Sequence, residues 1–237
     1  QLGGVGKGRN LKGFAGTEHM ADSSYRVMEQ ALRAYAGKPV YIATVEGKRC
    51  FDMKIGIISD THGCHERFSL AFDKYFKDAD MIIHAGDVLY HGPRNPMLSD
   101  YNPAKLAEKL NACSMPVVIC RGNCDSEVDT LVLDMPIQAP YTYVVAEGLK
   151  IVTTHGHYVE TDEAKDKMAK ALKADIFISG HVHINVLEKR GNTVFLNPGS
   201  PSLSKREDNR ATVAVLEDKT IKIIDIDTDE VIMTLTL

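Results

Sequence analysis

Residues 54–63 read Lys-Ile-Gly-Ile-Ile-Ser-Asp-Thr-His-Gly, an apolar run that stops at an acidic residue, an imidazole and a glycine. Short apolar runs bounded by turn residues are typical of buried strands. In α/β sheets, ligands bind beyond the carboxyl ends of the strands. We therefore expect Asp60 and His62 to lie at a strand end where chemistry takes place.

The same pattern returns four times along the chain. The four later apolar runs end in the segments His84-Ala85-Gly86-Asp87, Cys120-Arg121-Gly122-Asn123, His155-Gly156-His157 and Gly180-His181-Val182-His183. Each of these ends combines Asp, Asn or His with a glycine, which lets a backbone and a ligand approach closely. Because five strand ends carry the same kinds of side chain, one shared centre is the simplest explanation.

The composition is that of an ordinary globular protein. The chain has 237 residues, of which 44% are hydrophobic and 25% charged, enough for one good core and a small appendage. Its net charge of -4 provides no basic field for nucleic acid, so we expect no stable nucleic-acid partner. The sequence contains no bilayer-length apolar run, and its five cysteines form no C-x-x-C pair. We expect a cytoplasmic protein with reduced thiols and no membrane partner.

Residues 1–52 differ in character from the rest. After a glycine-rich start, residues 22–36 keep helical spacing and residues 40–45 form a strand pattern. One helix and one strand cannot bury their own apolar faces. Residues 16–21 and 40–47 resemble a truncated fragment of the anaerobic cobalt chelatases, in which His19 would be the implicated residue.

That fragment is incomplete, because Phe14-Ala15 stands where the chelatase family carries a metal-handling His before its Gly-Thr pair. We therefore interpret His19 as a surface or satisfied histidine rather than a metal ligand. Residues 1–52 are expected to be a fusion remnant, or translation assigned too far upstream. Met53 would be a natural start for a working domain of residues 53–237.

From Met53 onward, strand and helix patterns alternate. Helical spacing covers residues 66–76, 103–110 and 162–172, which implies parallel strands with helices outside them. After Gly199, three segments joined by short acidic turns alternate apolar and polar residues, a pattern typical of antiparallel strands. The predicted domain is α/β with a mixed or second sheet.

The donor types at the strand ends indicate metal binding. Carboxylate and amide oxygens together with imidazoles suit borderline divalent ions, and the candidate ligands are Asp60, His62, Asp87, Asn123, His155, His181 and His183. Seven ligands exceed the need of one ion, so two are implied, with Asp87 as the natural bridging carboxylate. Two ions roughly 3.5–4 Å apart acidify a bridging water for in-line displacement at phosphorus. Phosphoester hydrolysis is the predicted reaction class.

These motifs, in this order, resemble those of the calcineurin-like metallophosphoesterases. Residues 87–95, 121–129 and 197–200 bring the resemblance close to the small bacterial YfcE phosphodiesterases, from Met53 to the carboxyl terminus. The resemblance implies an αββα sandwich of two mixed sheets, to which residues 1–52 add a helix and a strand. It also implies a metal-dependent phosphodiesterase that acts on a small phosphodiester through attack by a metal-bridging hydroxide, and it permits a homo-oligomer.

The resemblance divides the ligands between two ions. One ion would take Asp60, His62, Asp87 and His183, and the other would take Asp87, Asn123, His155 and His181. Asp87 and Asn123 would act in catalysis through the metals. The expected cofactors are two divalent ions, with Mn²⁺ first and Zn²⁺, Fe²⁺, Co²⁺ or Ni²⁺ as alternatives.

One position departs from many relatives. They carry Gly-Asn-His-Glu, with the His placed to protonate the leaving alkoxide, whereas this chain has Gly122-Asn123-Cys124-Asp125. Loss of a positioned acid typically costs about 10²–10⁴-fold in rate, so substrates with acidic leaving groups are favoured. The residues expected to contact substrate or to support the ligands are Arg94, Cys124, Asp125 and His157.

Several alternatives stay open on sequence alone. Arg94 is either part of a rigid turn or a forked contact to a phosphate oxygen, and Arg121 is either an ion-pair partner or a phosphate contact. His84 is interpreted as a satisfied core histidine. A phosphomonoesterase or nuclease of the same superfamily is the second functional hypothesis. A non-catalytic scaffold is the third, and the complete ligand set argues against it.

Overall fold

The computed structural model describes residues 53–237. The predictions for residues 1–52, namely the helix, the strand and the role of His19, lie outside the described residues. Within residues 53–237, no helix is long and apolar enough to cross a membrane.

The described chain forms twelve strands and four helices. The strands are β1 (Ile55–Ile58), β2 (Met81–His84), β3 (Val117–Cys120), β4 (Ile137–Gln138), β5 (Thr142–Ala146), β6 (Leu149–Thr153), β7 (Ile176–Ile178), β8 (Val186–Arg190), β9 (Thr193–Asn197), β10 (Thr212–Glu217), β11 (Thr220–Asp225) and β12 (Val231–Thr236). The helices are α1 (His65–Ala71), which continues into a π-helical turn (Phe72–Phe76), α2 (Pro103–Asn111), α3 (Asp129–Val132) and α4 (Asp162–Leu172).

The first sheet has seven strands in the order β12-β11-β10-β1-β2-β3-β4. From β1 to β4 the strands are parallel, with Ile55 opposite Met81 and Ile58 opposite His84. On the other side of β1, the pairs β1–β10, β10–β11 and β11–β12 are antiparallel. The parallel half follows the strand–helix alternation of the sequence, and the antiparallel half confirms the strand pattern predicted after Gly199.

The second sheet has five strands in the order β5-β6-β7-β9-β8. Its centre is parallel, because β7 pairs in parallel with both β6 and β9, while β5 and β8 close the two edges by antiparallel pairing. Strands β4, β5, β8 and β9 were not predicted. Strands β4, β5 and β8 lack an apolar run that ends in Asp, Asn or His, which is the signal that marked the other early strands, while β9 has such a run and ends in Asn197.

Three clusters of buried apolar side chains hold four layers together. On the outer face of the seven-stranded sheet, Phe68 of α1 belongs to the same cluster as Ile82 of β2. Between the sheets, Ile57 of β1 and Ile178 of β7 share the second cluster. The third cluster includes Phe177 and lies between the five-stranded sheet and α4. The architecture is therefore the expected αββα sandwich of two mixed sheets.

Candidate metal centre

All seven predicted ligands lie in loops that follow the carboxyl ends of strands in the two sheets. Asp60 and His62 follow β1, Asp87 follows β2 and Asn123 follows β3, while His155 follows β6 and the last two histidines follow β7. The first two loops are joined directly, because the backbone N–H of Asp60 donates to Gly86 O at 2.9 Å and that of His62 donates to Asp87 O at 3.0 Å. The ends of the two sheets thus converge on one place.

Five of these ligands have a left-handed backbone. The φ angles are 55° at Asp60, 48° at His62, 56° at Asp87, 71° at His181 and 59° at His183. Residues other than glycine adopt this region rarely, although Asp, Asn and His are enriched there, and such strain clusters at functional sites. The sharp turn at each strand end is what directs these side chains to a common point.

Glycines let the loops approach one another. A Cβ at Gly180 would clash with Ser59 Oγ and lie 2.7 Å from Asp60 Oδ2, and a Cβ at Gly122 would clash with Asp87 Oδ1. Both positions therefore require a residue without a side chain, which explains the glycine at these two strand ends.

Three buried imidazoles have their Nδ1 atoms committed to backbone carbonyls. His62 Nδ1 lies 2.9 Å from Tyr90 O, His155 Nδ1 lies 2.8 Å from Ala85 O, and His183 Nδ1 lies 2.6 Å from Leu203 O. Since a carbonyl oxygen only accepts, each Nδ1 must carry the proton and donate it. In the neutral rings, Nε2 is then an acceptor, which is the arrangement that metal-binding histidines usually have.

These Nε2 atoms face one another and face carboxylates. His62 Nε2 lies 3.1 Å from His183 Nε2, and Asp60 Oδ1 lies 3.1 Å from His183 Nε2 and 3.8 Å from His62 Nε2. No described group donates a hydrogen bond to the buried Asp60 Oδ1. Lone pairs at this separation repel unless a cation lies among them, so the donor set fits a metal ion.

A second group surrounds Asp87 and His155. His155 Nε2 lies 3.4 Å from Asp87 Oδ2 and 3.1 Å from Asn123 Oδ1, while Asp87 Oδ2 also lies 3.8 Å from His62 Nε2. Asp87 thus faces both groups, as a bridging carboxylate must. The His181 ring lies next to this group, with its centroid 5.2 Å from that of His155.

Candidate ligand atoms within 4.8 Å of one another fall into overlapping sets. One set is Asp60, His62 and His183, another is Asp60, Asp87 and His155, and a third is His62, Asp87 and Cys124. The first set lies within the group expected for one ion, and the second joins Asp87 and His155, which were expected at the other ion, to Asp60, while His181 belongs to none of the three sets. Cys124 was expected to be outside the ligand set, but its sulfur lies within 4.8 Å of the ligand atoms of His62 and Asp87.

Electrostatics keep the carboxylates ionised. Burial alone would raise the pKa of Asp60, but the His183 imidazole and the charge of His155 outweigh it and lower the pKa. Burial likewise opposes ionisation of Asp87, and His155 lowers the pKa of Asp87 below its usual range. In return, Asp87 and Asp60 overcome the effect of burial on His155 and raise its pKa to about 9. In the metal-free chain, a proton on His155 supplies the positive charge that this group requires.

Asp125 holds two of the ligand loops in place. Its Oδ2 accepts from the backbone N–H groups of Asp87 at 2.9 Å and Gly122 at 2.7 Å, and its Oδ1 accepts from that of Val88 at 2.7 Å. Burial and the charge of Asp87 raise the pKa of Asp125 to about 6. Asp125 therefore supports the ligand loops after β2 and β3.

The structure also separates the alternatives for Arg121. Its guanidinium donates to Asp125 O at 3.2 Å and to Glu127 Oε1 at 2.9 Å. The side chain is thus a structural ion-pair partner.

His157 is half-buried, with its ring centroid 5.4 Å from that of His155. Burial and the charge of His155 lower the pKa of His157.

A cleft of about 660 Å³ opens over the centre. Two exposed cations line it: Arg94, which the sequence singled out, and Lys205, which it did not. Lys205 follows no strand end, so the pattern that identified the ligands could not identify it. Its backbone N–H donates to His183 O at 3.1 Å, which ties its loop to the centre.

Comparison with known proteins identifies a family and several relatives of this chain. Residues 53–220 match the calcineurin-like phosphoesterase superfamily domain. The chain is 35% identical over 181 residues to the phosphodiesterase YfcE of Escherichia coli K12, a match that covers 76% of this chain and 96% of that protein. The probable metallophosphoesterase YsnB of Bacillus subtilis is 28% identical over 156 residues, covering 65% of this chain and 78% of that protein.

Solved structures have the same fold. The structure of YfcE, a phosphoesterase from E. coli, matches with a TM-score of 0.67 at 36% identity, over 78% of this chain and 99% of that one. Vps29 from Cryptosporidium parvum matches with a TM-score of 0.57 at 19% identity, over 79% of this chain and all (100%) of that one. The likeness to Vps29 shows a shared fold only.

Proposed function

The chain belongs to the calcineurin-like phosphoesterase superfamily, and on that basis we propose that it is a metal-dependent phosphodiesterase that uses two divalent ions. We further propose that Asp60, His62, Asp87 and His183 hold one ion. Asp87, Asn123, His155 and His181 would hold the other.

One observation carries this proposal. The Nδ1–H groups of three histidines are taken by backbone carbonyls, so their acceptor nitrogens converge with Asp60 Oδ1 and Asp87 Oδ2 in a buried place. A cluster built only to stabilise the fold would pair each acceptor with a donor. When the rings are neutral, the cluster consists of acceptors, and divalent ions would supply the positive charge that the proton on His155 supplies in the metal-free chain.

The charges favour an anionic substrate. Two divalent ions bring four positive charges, and the carboxylates of Asp60 and Asp87 neutralise two of them. When bound, such ions acidify a water for attack on phosphorus and stabilise the charge that develops. Arg94 and Lys205 line the cleft above and would draw a phosphate diester towards the centre.

We propose Mn²⁺ as the resident metal, with Zn²⁺, Fe²⁺, Co²⁺ and Ni²⁺ as alternatives. Mixed oxygen and imidazole donors support borderline divalent ions in general. We also propose a cytoplasmic location, which the four free cysteines of the described part of the chain support.

Metal content and hydrolysis test the proposal together. We expect about two ions per wild-type chain by elemental analysis, and turnover of bis(p-nitrophenyl) phosphate that stops on chelation and returns with Mn²⁺. The Asp87→Ala variant should lose both metal and turnover, because Asp87 faces both ligand groups. The matched control is Asp166→Ala, which removes an exposed carboxylate from α4 and should keep both.

Two results would contradict the proposal. Absence of metal and of hydrolysis in the Mn²⁺-supplied wild type would favour the scaffold hypothesis. Faster turnover of p-nitrophenyl phosphate than of bis(p-nitrophenyl) phosphate would favour the phosphomonoesterase hypothesis.

A further inference from the structure

A second cavity, of about 690 Å³, lies beside the metal centre. Its walls come from three places: the loop after β2 with Leu89 and Tyr90, the start of α2 with Ala104 and Ala107, and the segment around α3 with Val128. Its volume lies within the range of small-molecule sites, which is about 300–1,000 Å³.

The cavity touches the metal centre through two residues. Cys124 and Tyr90 line both this cavity and the cleft over the ligands. The Cys124 sulfur is within 4.8 Å of ligand atoms of His62 and Asp87, and the Tyr90 carbonyl accepts from His62 Nδ1. A molecule with its phosphate at the centre could therefore extend a substituent into the cavity.

The cavity walls are largely apolar, and much of their polar surface is already engaged. Asn111 donates to Val132 O at 2.8 Å and accepts from the backbone N–H of Asp134 at 2.9 Å. The Asp129 carboxylate accepts from the backbone N–H and hydroxyl of Ser126 at 2.8 and 3.1 Å. The walls offer contact area to an aromatic ring, and Val128 is 63% exposed at the rim.

We propose that this cavity binds an aromatic ester group of the phosphodiester substrate. This inference rests on the proposed function and narrows it to diesters that carry at least one aromatic ring near phosphorus. The occupant is a substrate group because the cavity shares two wall residues with the metal cleft. A ring bound there gains affinity from buried apolar area while the phosphate stays at the metals.

The test compares phenylphosphonate with methylphosphonate by calorimetry on the full-length, Mn²⁺-loaded protein. The two probes have the same phosphonate group and differ in the ring. We expect the wild type to bind phenylphosphonate at least tenfold more tightly. Ala104→Trp should abolish this preference and leave the methylphosphonate Kd unchanged, because Ala104 is an exposed wall residue that an indole would extend into the cavity.

Two further variants control this result. Ala104→Ser changes the same residue without filling the cavity and should keep the preference. Val128→Trp introduces an indole from the segment around α3 and should act like Ala104→Trp. Since the chain has no other Trp, a blue-shifted emission from either variant reports directly that the indole lies inside the cavity.

Equal binding of the two probes by the wild type would overturn this inference and leave the proposed function standing, because both would still bind at the metals. The inference would also fail if a variant with a buried indole still bound phenylphosphonate more tightly than methylphosphonate. Dissociation of a wild-type oligomer by Ala104→Trp, seen by light scattering, would assign the cavity to a second copy of the chain. If neither probe binds and no diester is hydrolysed, the proposed function fails as well.

Discussion

The hydrogen-bond partner of Nδ1 distinguishes the core histidine His84 from the histidines that are candidate ligands. The backbone N–H of Gly86 donates to His84 Nδ1 at 3.1 Å, so the His84 Nε2–H donates to Thr61 Oγ1 at 2.9 Å. Both ring nitrogens are satisfied, and His84 is fully buried, as the sequence predicted. In His62, His155 and His183 a carbonyl faces Nδ1 instead, which leaves an acceptor nitrogen for a cation.

This arrangement makes stability depend on pH through His84. Burial lowers the pKa of His84 from 6.5 to about 3, so between these values the unfolded chain binds the extra proton. The free energy of unfolding should therefore fall as the pH drops from 6.5 towards 3, by up to about 1.4 kcal/mol for each pH unit. Urea unfolding of chelated wild type and His84→Gln would measure this, because only the wild type contains the titrating group. If the free energy of unfolding fell equally with pH in the wild type and in His84→Gln, the effect could not be assigned to His84.

Cys124 should limit which substrates are hydrolysed. Burial and the charge of Asp87 raise the pKa of its thiol to about 12, so it is a weak acid for a leaving alkoxide. We expect Cys124→His to accelerate turnover of alkyl diesters by about tenfold or more, with a much smaller effect on nitrophenyl diesters, whose leaving group requires no proton. Cys124→Ser, which supplies no imidazole, is the control. An equal gain on both substrate classes would argue against a role in protonation.

At the scale of elements, the site depends on how loops from neighbouring strands are fixed to one another. The Asp125 carboxylate accepts three backbone N–H groups, whereas an amide has only one oxygen and would place its NH₂ against the remaining donors. Asp125→Asn should lower the free energy of unfolding by about 1–3 kcal/mol and metal affinity by about 10–100-fold. Chemical denaturation and metal titration measure the two effects. Asp134→Asn, at an exposed position, should change neither.

Among the first nine strands, the sequence predicted those that end in a candidate ligand and missed the other four. Asp60 and Asp87 were predictable because an apolar run and a glycine frame them. Strands β5 and β8 carry no polar residue of that kind, whereas β9 ends in Asn197, whose amide donates to Gly180 O at 2.9 Å. Lys205 lies near the centre only through tertiary packing, which a local pattern does not record. The left-handed turns at the ligands were also missed, since they follow from how two sheets meet.

At the scale of the whole molecule, the described layers contain both sheets, their helices and all seven candidate ligands. We therefore predict that a chain beginning at Met53 keeps its fold, its metal and its diester turnover. Circular dichroism, elemental analysis and a bis(p-nitrophenyl) phosphate assay on the shortened and full-length chains would test this. Loss of activity from a folded, shortened chain would show that residues 1–52 contribute to function.

The left-handed backbone of five candidate ligands would connect the protein's survival in the cell to its metal supply. Each such conformation costs on the order of 1–3 kcal/mol, and bound metal would offset part of this cost. Metal that binds only the folded chain lowers the fraction that opens to proteases. Chains made when metal is scarce are expected to be degraded sooner, so the amount of the protein should follow metal availability even at a constant rate of synthesis.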